Sequence, residues 1–294
     1  MIDKEHFNYY FIPSSIQSHI PNPTYPIIHV ISICSDENKM KYLKKTAELH
    51  KLNNIHYVII EWQGFVDKII YMIKILDKIP DGDVVCFIDA YDILISNNVE
   101  CILEKFISFN CNILFSSELV CYPSINRERY EQLYDNDHHA KIKTNYKYLN
   151  SGGYIGYRKN IYQMLTFQSM EDIKTLCQEG GDQNYFTQYY LNHDLAVKLD
   201  VNQTIFQSMC CVQFQDFEFQ NGYLYNKILD TYPSFIHFNG FGDDKIKCCF
   251  DTNQNRMVDV IKTFYEKMKI SSEKGECIKL NYYQQFDNLY IDQK

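Results

Sequence analysis

Two carboxylates, Asp89 and Asp92, flank an Ala-Tyr pair immediately after the apolar run Val84–Ile88. If that run is a strand of an open α/β sheet, both acids stand at its carboxyl end, where such sheets bind ligands. Two carboxylates at this spacing can share one divalent cation with a diphosphate, and hard oxygen donors suit Mg²⁺ or Mn²⁺. The plainer reading of a lone Asp-x-x-Asp is a helix cap or a turn, because Asp commonly fills both roles. Other polar groups lie further along the chain. Phe115-Ser-Ser-Glu118 is followed by Cys121-Tyr-Pro123, and Leu149-Asn-Ser-Gly-Gly-Tyr-Ile-Gly156 combines polar turn residues with three glycines. Gly181-Asp-Gln183 opens a helical stretch, and His237-Phe-Asn-Gly240 closes a short apolar run. Glycines let a backbone approach a ligand closely. Taken alone, His237 among Phe235, Ile236 and Phe238 is more often a core histidine than a ligand, and Tyr91 equally reads as a core aromatic.

The elements that must position these groups follow from periodicity. Residues 27–34, 55–60, Val84–Ile88 and 112–116 read as short buried strands. Residues 36–52, 68–79 and 99–109 alternate with them as helices, the second with apolar residues at 69, 72, 73 and 76. This alternation predicts a mainly parallel α/β sheet flanked by helices. The second half is less regular, with short strands at 148–157, 196–199, 205–210 and 235–238 and helices at 160–167, 182–191 and 253–268. Residues 1–26, with four prolines, read as an extended arm; 27–270 as one domain; and 271–294 as a polar, aromatic tail without assigned structure.

Composition narrows the class. The chain has 294 residues, 46% of them hydrophobic, enough for a substantial core. Its net charge of −8 argues against nucleic-acid binding, which needs clustered positive charge, but not against a phosphate-bearing small ligand accompanied by a cation. No run is long and apolar enough for a membrane span, and the N-terminus lacks a signal-peptide pattern. The eleven cysteines, without a Cys-x-x-Cys pair, read as free thiols in a reducing compartment rather than as a zinc site.

Taken together, Asp89-x-Tyr-Asp92, Leu149-Asn-Ser-Gly-Gly and His237-x-Asn-Gly240, in this order and spacing, resemble the glycosyltransferase domain of the procollagen lysyl hydroxylases (PLOD type) from about residue 27 to 240. The resemblance implies a GT-A type, Rossmann-like fold and a UDP-sugar donor used with Mn²⁺, or alternatively Mg²⁺. It assigns the metal to Asp89, Asp92 and His237, and the uracil ring to Tyr91. It places Asp89, Asn150, Ser151, Gly152, Asn239 and Gly240 around the donor. Lys68 lies just past Trp62-Gln-Gly64, where the family has a glycine-rich segment ending in lysine; it pairs with the donor phosphates or is a helix-surface lysine. Glu118 and Asp182 are the candidates for holding sugar hydroxyls or orienting the acceptor, with a helix cap or a solvated acid as the alternative. The implied activity moves glucose or galactose to hydroxylysine or galactosyl-hydroxylysine of a collagen-like protein, with retention.

Two positions depart from the family. Gly181-Asp182 stands where paired acids are usual, and Tyr122 where tryptophan is usual. No histidine supplies the His-x-Asp/Glu iron motif of the hydroxylase half, so a separate transferase domain is expected. The implied partners are the UDP-sugar, a collagen-like or glycan acceptor, and a second copy of the chain as a homodimer. A giant-virus member, working in the host cytoplasm or a virus factory, is the expected source. A non-catalytic nucleotide-sugar or carbohydrate-binding module and a GT-A enzyme acting on glycans are the competing readings.

Overall fold

A computed structural model describes residues 26–135, 144–193, 197–240 and 254–280. The first half contains β1 (Ile28–Cys34), α1 (Lys41–Leu49), β2 (Ile55–Ile59), α2 (Val66–Leu76), β3 (Val84–Ile88), β4 (Ile93–Ile95), α3 (Val99–Ser108), β5 (Ile113–Glu118) and α4 (Arg127–Tyr134). It is followed by β6 (Tyr148–Tyr157), α5 (Arg158–Leu165), α6 (Met170–Asn192), β7 (Val197–Leu199) and β8 (Phe206–Ser208). The last elements are β9 (Phe217–Gln220), β10 (Tyr223–Asn226), β11 (Phe235–His237), α7 (Gln254–Lys274) and β12 (Cys277–Lys279).

The central sheet has the order β2-β1-β3-β6-β5-β7. Strands β1, β2 and β3 run parallel, β7 runs parallel to β5, and β6 is antiparallel to both of its neighbours. The sheet is therefore α/β and mainly parallel, as the strand–helix alternation predicts. The reversed strand β6 places Asn150 and Gly152 at the same edge as the carboxyl ends of β3 and β5.

Strand pleat sorts the core into two layers. Ile31, Ile33, Val85 and Phe87 pack with Ile69, Met72 and Leu76 of α2 and with Tyr185 and Phe186 of α6 on one face. Val30, Cys34, Cys86 and Ile88 pack with Leu43 of α1 and Ile102 and Phe106 of α3 on the other. Burial on both faces explains why these strands read as continuous apolar runs. Helix α3 starts where the Asn98 side chain accepts from the backbone N–H of Cys101 (3.0 Å).

Two small sheets complete the molecule. In β4-β11-β8, β11 is antiparallel to β4 and parallel to β8, which brings His237 beside Ile93 and hence near Asp92. In β10-β9-β12, Phe217, Phe219 and Leu224 pack with Phe264 and Met268 of α7. Strands β4, β9, β10 and β12 were not expected; each is three or four residues long, too short to show a period.

The helix expected at 182–191 is the second half of α6, and the strand expected at 205–210 is confined to β8. The start of the tail is structured: α7 continues to Lys274, and Ser271 Oγ, fully buried, accepts from the backbone N–H of Gly222 (3.1 Å). Residues 1–25 of the expected arm, Ala196, Asn253 and the tail beyond Leu280 lie outside the described residues.

The expectation of free thiols throughout is corrected at Cys211, which is disulfide-bonded, whereas Cys34, Cys86, Cys101, Cys111, Cys121, Cys177 and Cys277 carry no disulfide. Cysteine counting does not reveal which thiols folding brings together. Among the described residues, no helix is long and apolar enough to cross a membrane.

Candidate active site

The loop leaving β3 carries Asp89 and Asp92, and β11 ends at His237. One donor atom from each of these three residues falls within 4.8 Å of the others. His237 Nε2 lies 3.2 Å from Asp92 Oδ2 and 3.8 Å from Asp89 Oδ2. Backbone bonds fix the approach: Phe238 N–H donates to the Asp92 carbonyl (2.8 Å), and Asp89 N–H donates to the Gly152 carbonyl (2.9 Å).

Gly152 is required by crowding. A Cβ built on it would lie 2.1 Å from His237 Cε1 and 2.8 Å from Asp89 Oδ2. The first glycine of Asn-Ser-Gly-Gly thus clears the space in which the imidazole and the carboxylate meet.

The electrostatics follow from this packing. Burial opposes the charge on His237, but Asp92 and Asp89 outweigh it and raise the imidazole pKa. Burial likewise opposes the Asp89 carboxylate, and Lys68 and His237 reverse that effect, holding its pKa below the ordinary value. His237 Nδ1 is buried without a hydrogen-bond partner. Two carboxylates and an imidazole on rigid strand ends, with one ring nitrogen turned to both acids, fit a divalent cation. Mn²⁺ accepts such mixed oxygen and nitrogen donors more readily than Mg²⁺ does.

Lys68, in the first turn of α2, bridges this group to a second one. Its Nζ lies 2.5 Å from Asp89 Oδ1 and 3.3 Å from Asp182 Oδ2. Burial disfavours its charge, yet Asp182 and Asp89 hold the ammonium above its usual pKa. Asp182 starts the second half of α6, just past a break at Gly180 and Gly181, where Gly181 has φ +69° and ψ −174°. Ser151 Oγ donates to Asp182 Oδ1 (3.3 Å). Burial raises the Asp182 pKa, with Lys68 acting against it.

Glu118, at the end of β5, lies beneath these groups and is buried. Its oxygens accept from Gln183 Nε2 and Asn239 Nδ2, both at 2.7 Å. Burial pushes its pKa up to about 7 against the donations from Gln183, Asn150 and Asn239. Asn239 Oδ1 in turn accepts from Ser208 Oγ (2.7 Å) and from the backbone N–H groups of Met209 and Cys210 (both 3.2 Å). Gln183 Oε1 accepts from the backbone N–H of Ser151 (3.1 Å) and lies 3.4 Å from Asn150 Nδ2. Asn150 Oδ1 accepts from Gly152 N–H (3.1 Å). One carboxylate therefore ties together three sequence segments that each carry a site residue.

The structure gathers Asp89, Asp92, His237, Lys68, Asp182, Ser151 and Gly152 into one cluster, with Glu118, Asn150 and Asn239 bracing it from below. Gly240, at φ +80°, ends the β11 segment against Cys210, whose Sγ would lie 2.9 Å from an added Cβ. Tyr91 points instead to the end of β1, where its hydroxyl accepts from the backbone N–H groups of Ser35 (2.8 Å) and Asp36 (2.9 Å). Two participants were not singled out from sequence: Gln183, whose only signal is its place after Asp182, and Ser208, in a three-residue strand.

Comparison with known proteins gives a family for this arrangement. The model of the PLOD GT domain matches residues 39–259. The chain is 29% identical over 225 residues to the uncharacterized protein R699 of Acanthamoeba polyphaga mimivirus, covering 71% of this chain and 45% of that protein. It is 23% identical over 236 residues to the multifunctional procollagen lysine hydroxylase and glycosyltransferase LH3 of Homo sapiens, covering 74% and 30% respectively. The chain thus spans less than half the length of these curated relatives. Mouse xyloside xylosyltransferase 1, in its apo form, superposes with a TM-score of 0.41 at 14% identity, over 73% of this chain and 99% of that one.

Proposed function

Because the chain belongs to the PLOD GT domain family, we propose that it is a metal-dependent glycosyltransferase moving glucose or galactose from a UDP-sugar to an acceptor hydroxyl. The acceptor class is hydroxylysine or galactosyl-hydroxylysine of a collagen-like chain, and the transfer proceeds with retention. The observation that carries the reading is the convergence of Asp89, Asp92 and His237 at strand ends, with Lys68 alongside. Asp89, Asp92 and His237 would hold Mn²⁺, and a cation there supplies charge neutralisation for a departing diphosphate. The Lys68 ammonium is close enough to the acids to add a second positive charge facing the phosphates. Asp182, paired with that ammonium and with Ser151, would accept a hydrogen bond from a sugar hydroxyl. Glu118 holds Asn239 and Gln183 in the orientation that sets both segments. Tyr91, its hydroxyl anchored at the end of β1, would lie against the uracil ring.

A panel of UDP-sugars assayed for Mn²⁺-dependent hydrolysis, then for transfer with the active donor, tests the proposal. Mn²⁺-dependent release of UDP from one donor is the expected result. The reading fails if no UDP-sugar is bound or turned over, or if Asp92→Ala hydrolyses as fast as the parent chain. Retention is tested by anomeric NMR of the first-formed product.

A further inference from the structure

Two buried amides lie beside the break in α6. Asn184, 1% exposed, stands two residues past Asp182, and Asn126, 2% exposed, closes the short turn Ser124–Asn126 before α4. Asn184 Nδ2 donates to the carbonyl of Leu176 (3.2 Å), so its bond reaches from the second half of α6 back to the first. Asn126 Nδ2 donates to Asn184 Oδ1 (3.1 Å), and Asn126 Oδ1 accepts from Gln188 Nε2 (2.8 Å). Gln188 Oε1 accepts in turn from the Arg129 guanidinium of α4. A guanidinium can only donate and a carbonyl can only accept, so the two ends of this series dictate which way all three amides face. Such a directed, buried series specifies one geometry, at a desolvation cost that apolar side chains would not incur.

The break needs that specification. Gly180 and Gly181 both leave the helical region there, so the main-chain ladder does not set the angle between the two halves. The surroundings are close-packed: a Cβ on Gly180 would lie 2.7 Å from Pro123 Cγ and 3.0 Å from Asn184 Cβ. The first two residues after the break are Asp182, paired with Lys68, and Gln183, whose Nε2 also donates to the Tyr122 carbonyl (2.9 Å). We propose that Asn184 is a positioning residue: oriented by Asn126, it holds the halves of α6 at the angle that presents Asp182 to Lys68 and Gln183 to Glu118 and Ser151. Its effect on turnover rests on the glycosyltransferase reading, whereas its effect on geometry is measured apart from turnover.

Asn184→Leu roughly keeps the volume and removes both bonds. The reporter of geometry is the Ser151 N–H, which donates to Gln183 Oε1. In hydrogen exchange of the full chain, this amide should exchange about tenfold faster in Asn184→Leu, the scale of one hydrogen bond, while the β1–β2 ladder keeps its protection. In UDP release from the active UDP-sugar with Mn²⁺, kcat should fall about tenfold. Calorimetric Mn²⁺–UDP affinity should stay within about twofold, because Asp89, Asp92 and His237 lie on other segments. Asn126→Leu, which leaves the Asn184–Leu176 bond, should show both effects at smaller size, and it replaces Asn184→Leu if that chain does not fold. The proposal is overturned if Ser151 keeps its protection or kcat is unchanged. It is equally overturned if the β1–β2 ladder loosens as much as Ser151, or if Mn²⁺–UDP affinity falls in step with kcat. If the parent chain neither binds Mn²⁺–UDP nor releases UDP, the glycosyltransferase reading falls, and Ser151 exchange alone decides the role of Asn184.

Discussion

At the scale of single residues, the site is set by what is absent as much as by what is present. Gly152→Ala would force a methyl group into the space of the His237 ring. Its expected signature is a Mn²⁺ affinity at least about tenfold weaker in calorimetry, with an overpacking cost of about 1–3 kcal/mol in denaturant unfolding. Lys68→Met has the opposite signature. Removing the ammonium beside Asp89 strengthens Mn²⁺ binding alone, because a competing cation is gone, and weakens binding of UDP in the presence of Mn²⁺. Both affinities are read by calorimetry, and a parallel loss of both would contradict the shared role given to Lys68. These residues were legible in different degrees. Asp89 and Asp92 stood out because they follow an apolar strand at its carboxyl end, where open α/β sheets bind ligands. Gln183 did not, because an amide shows its role only through the partners that folding supplies.

At the scale of elements, short pieces carry the geometry that periodicity could not show. Strands β1 and β3 and the helices after them announced themselves by mostly apolar runs of seven and five residues and a helical spacing. The reversal of β6 did not, since a buried strand reads alike in either direction. Nor did β4, three residues long, whose pairing with β11 brings His237 to Asp92. The break in α6 is a further case: Gly180 and Gly181 marked it in the sequence, but only the backbone shows a left-handed residue at Gly181. Gly181→Ala should destabilise the chain by about 1–3 kcal/mol through that strain, measurable as a lower denaturant midpoint. The α1–α7 contact supplies a pH test. His50 ends α1, is 9% exposed, and its Nε2 lies 3.4 Å from Met268 Sδ of α7. Burial lowers its pKa to about 4. Unfolding lets His50 bind a proton at higher pH than the native state does. Its neutral form therefore favours folding fully above the unfolded value near 6.5, and that contribution is lost as pH falls toward 4. Chemical unfolding should show a loss of about 3 kcal/mol between these pH values, much of it absent in His50→Leu.

At the scale of the whole molecule, the proposed function has an acidic chain accommodate an anionic ligand by drawing in a cation. If the cluster binds Mn²⁺ only when folded, metal at about a hundred times its dissociation constant adds about 2.7 kcal/mol of stability. A thermal scan should then show Tm rising by several degrees in the parent chain and hardly at all in Asp92→Ala. The family match over residues 39–259 and the acids at the strand ends describe the same region of the chain from two sides. The course of β6 has a broader consequence. Because it returns antiparallel beside β5, the chain leaves the sheet at Glu118 and re-enters it at Tyr148 on the same edge, next to the cluster of Asp89, Asp92 and His237. That excursion is anchored at both ends by ladder bonds and within by α4, whose buried Tyr130 accepts from the backbone N–H of Leu149 (3.0 Å), so what is built on it leaves the register beneath unchanged. If the cluster is a transferase site, relatives that keep this register would change what they admit by changing the stretch between Glu118 and Tyr148, with the floor beneath inherited intact.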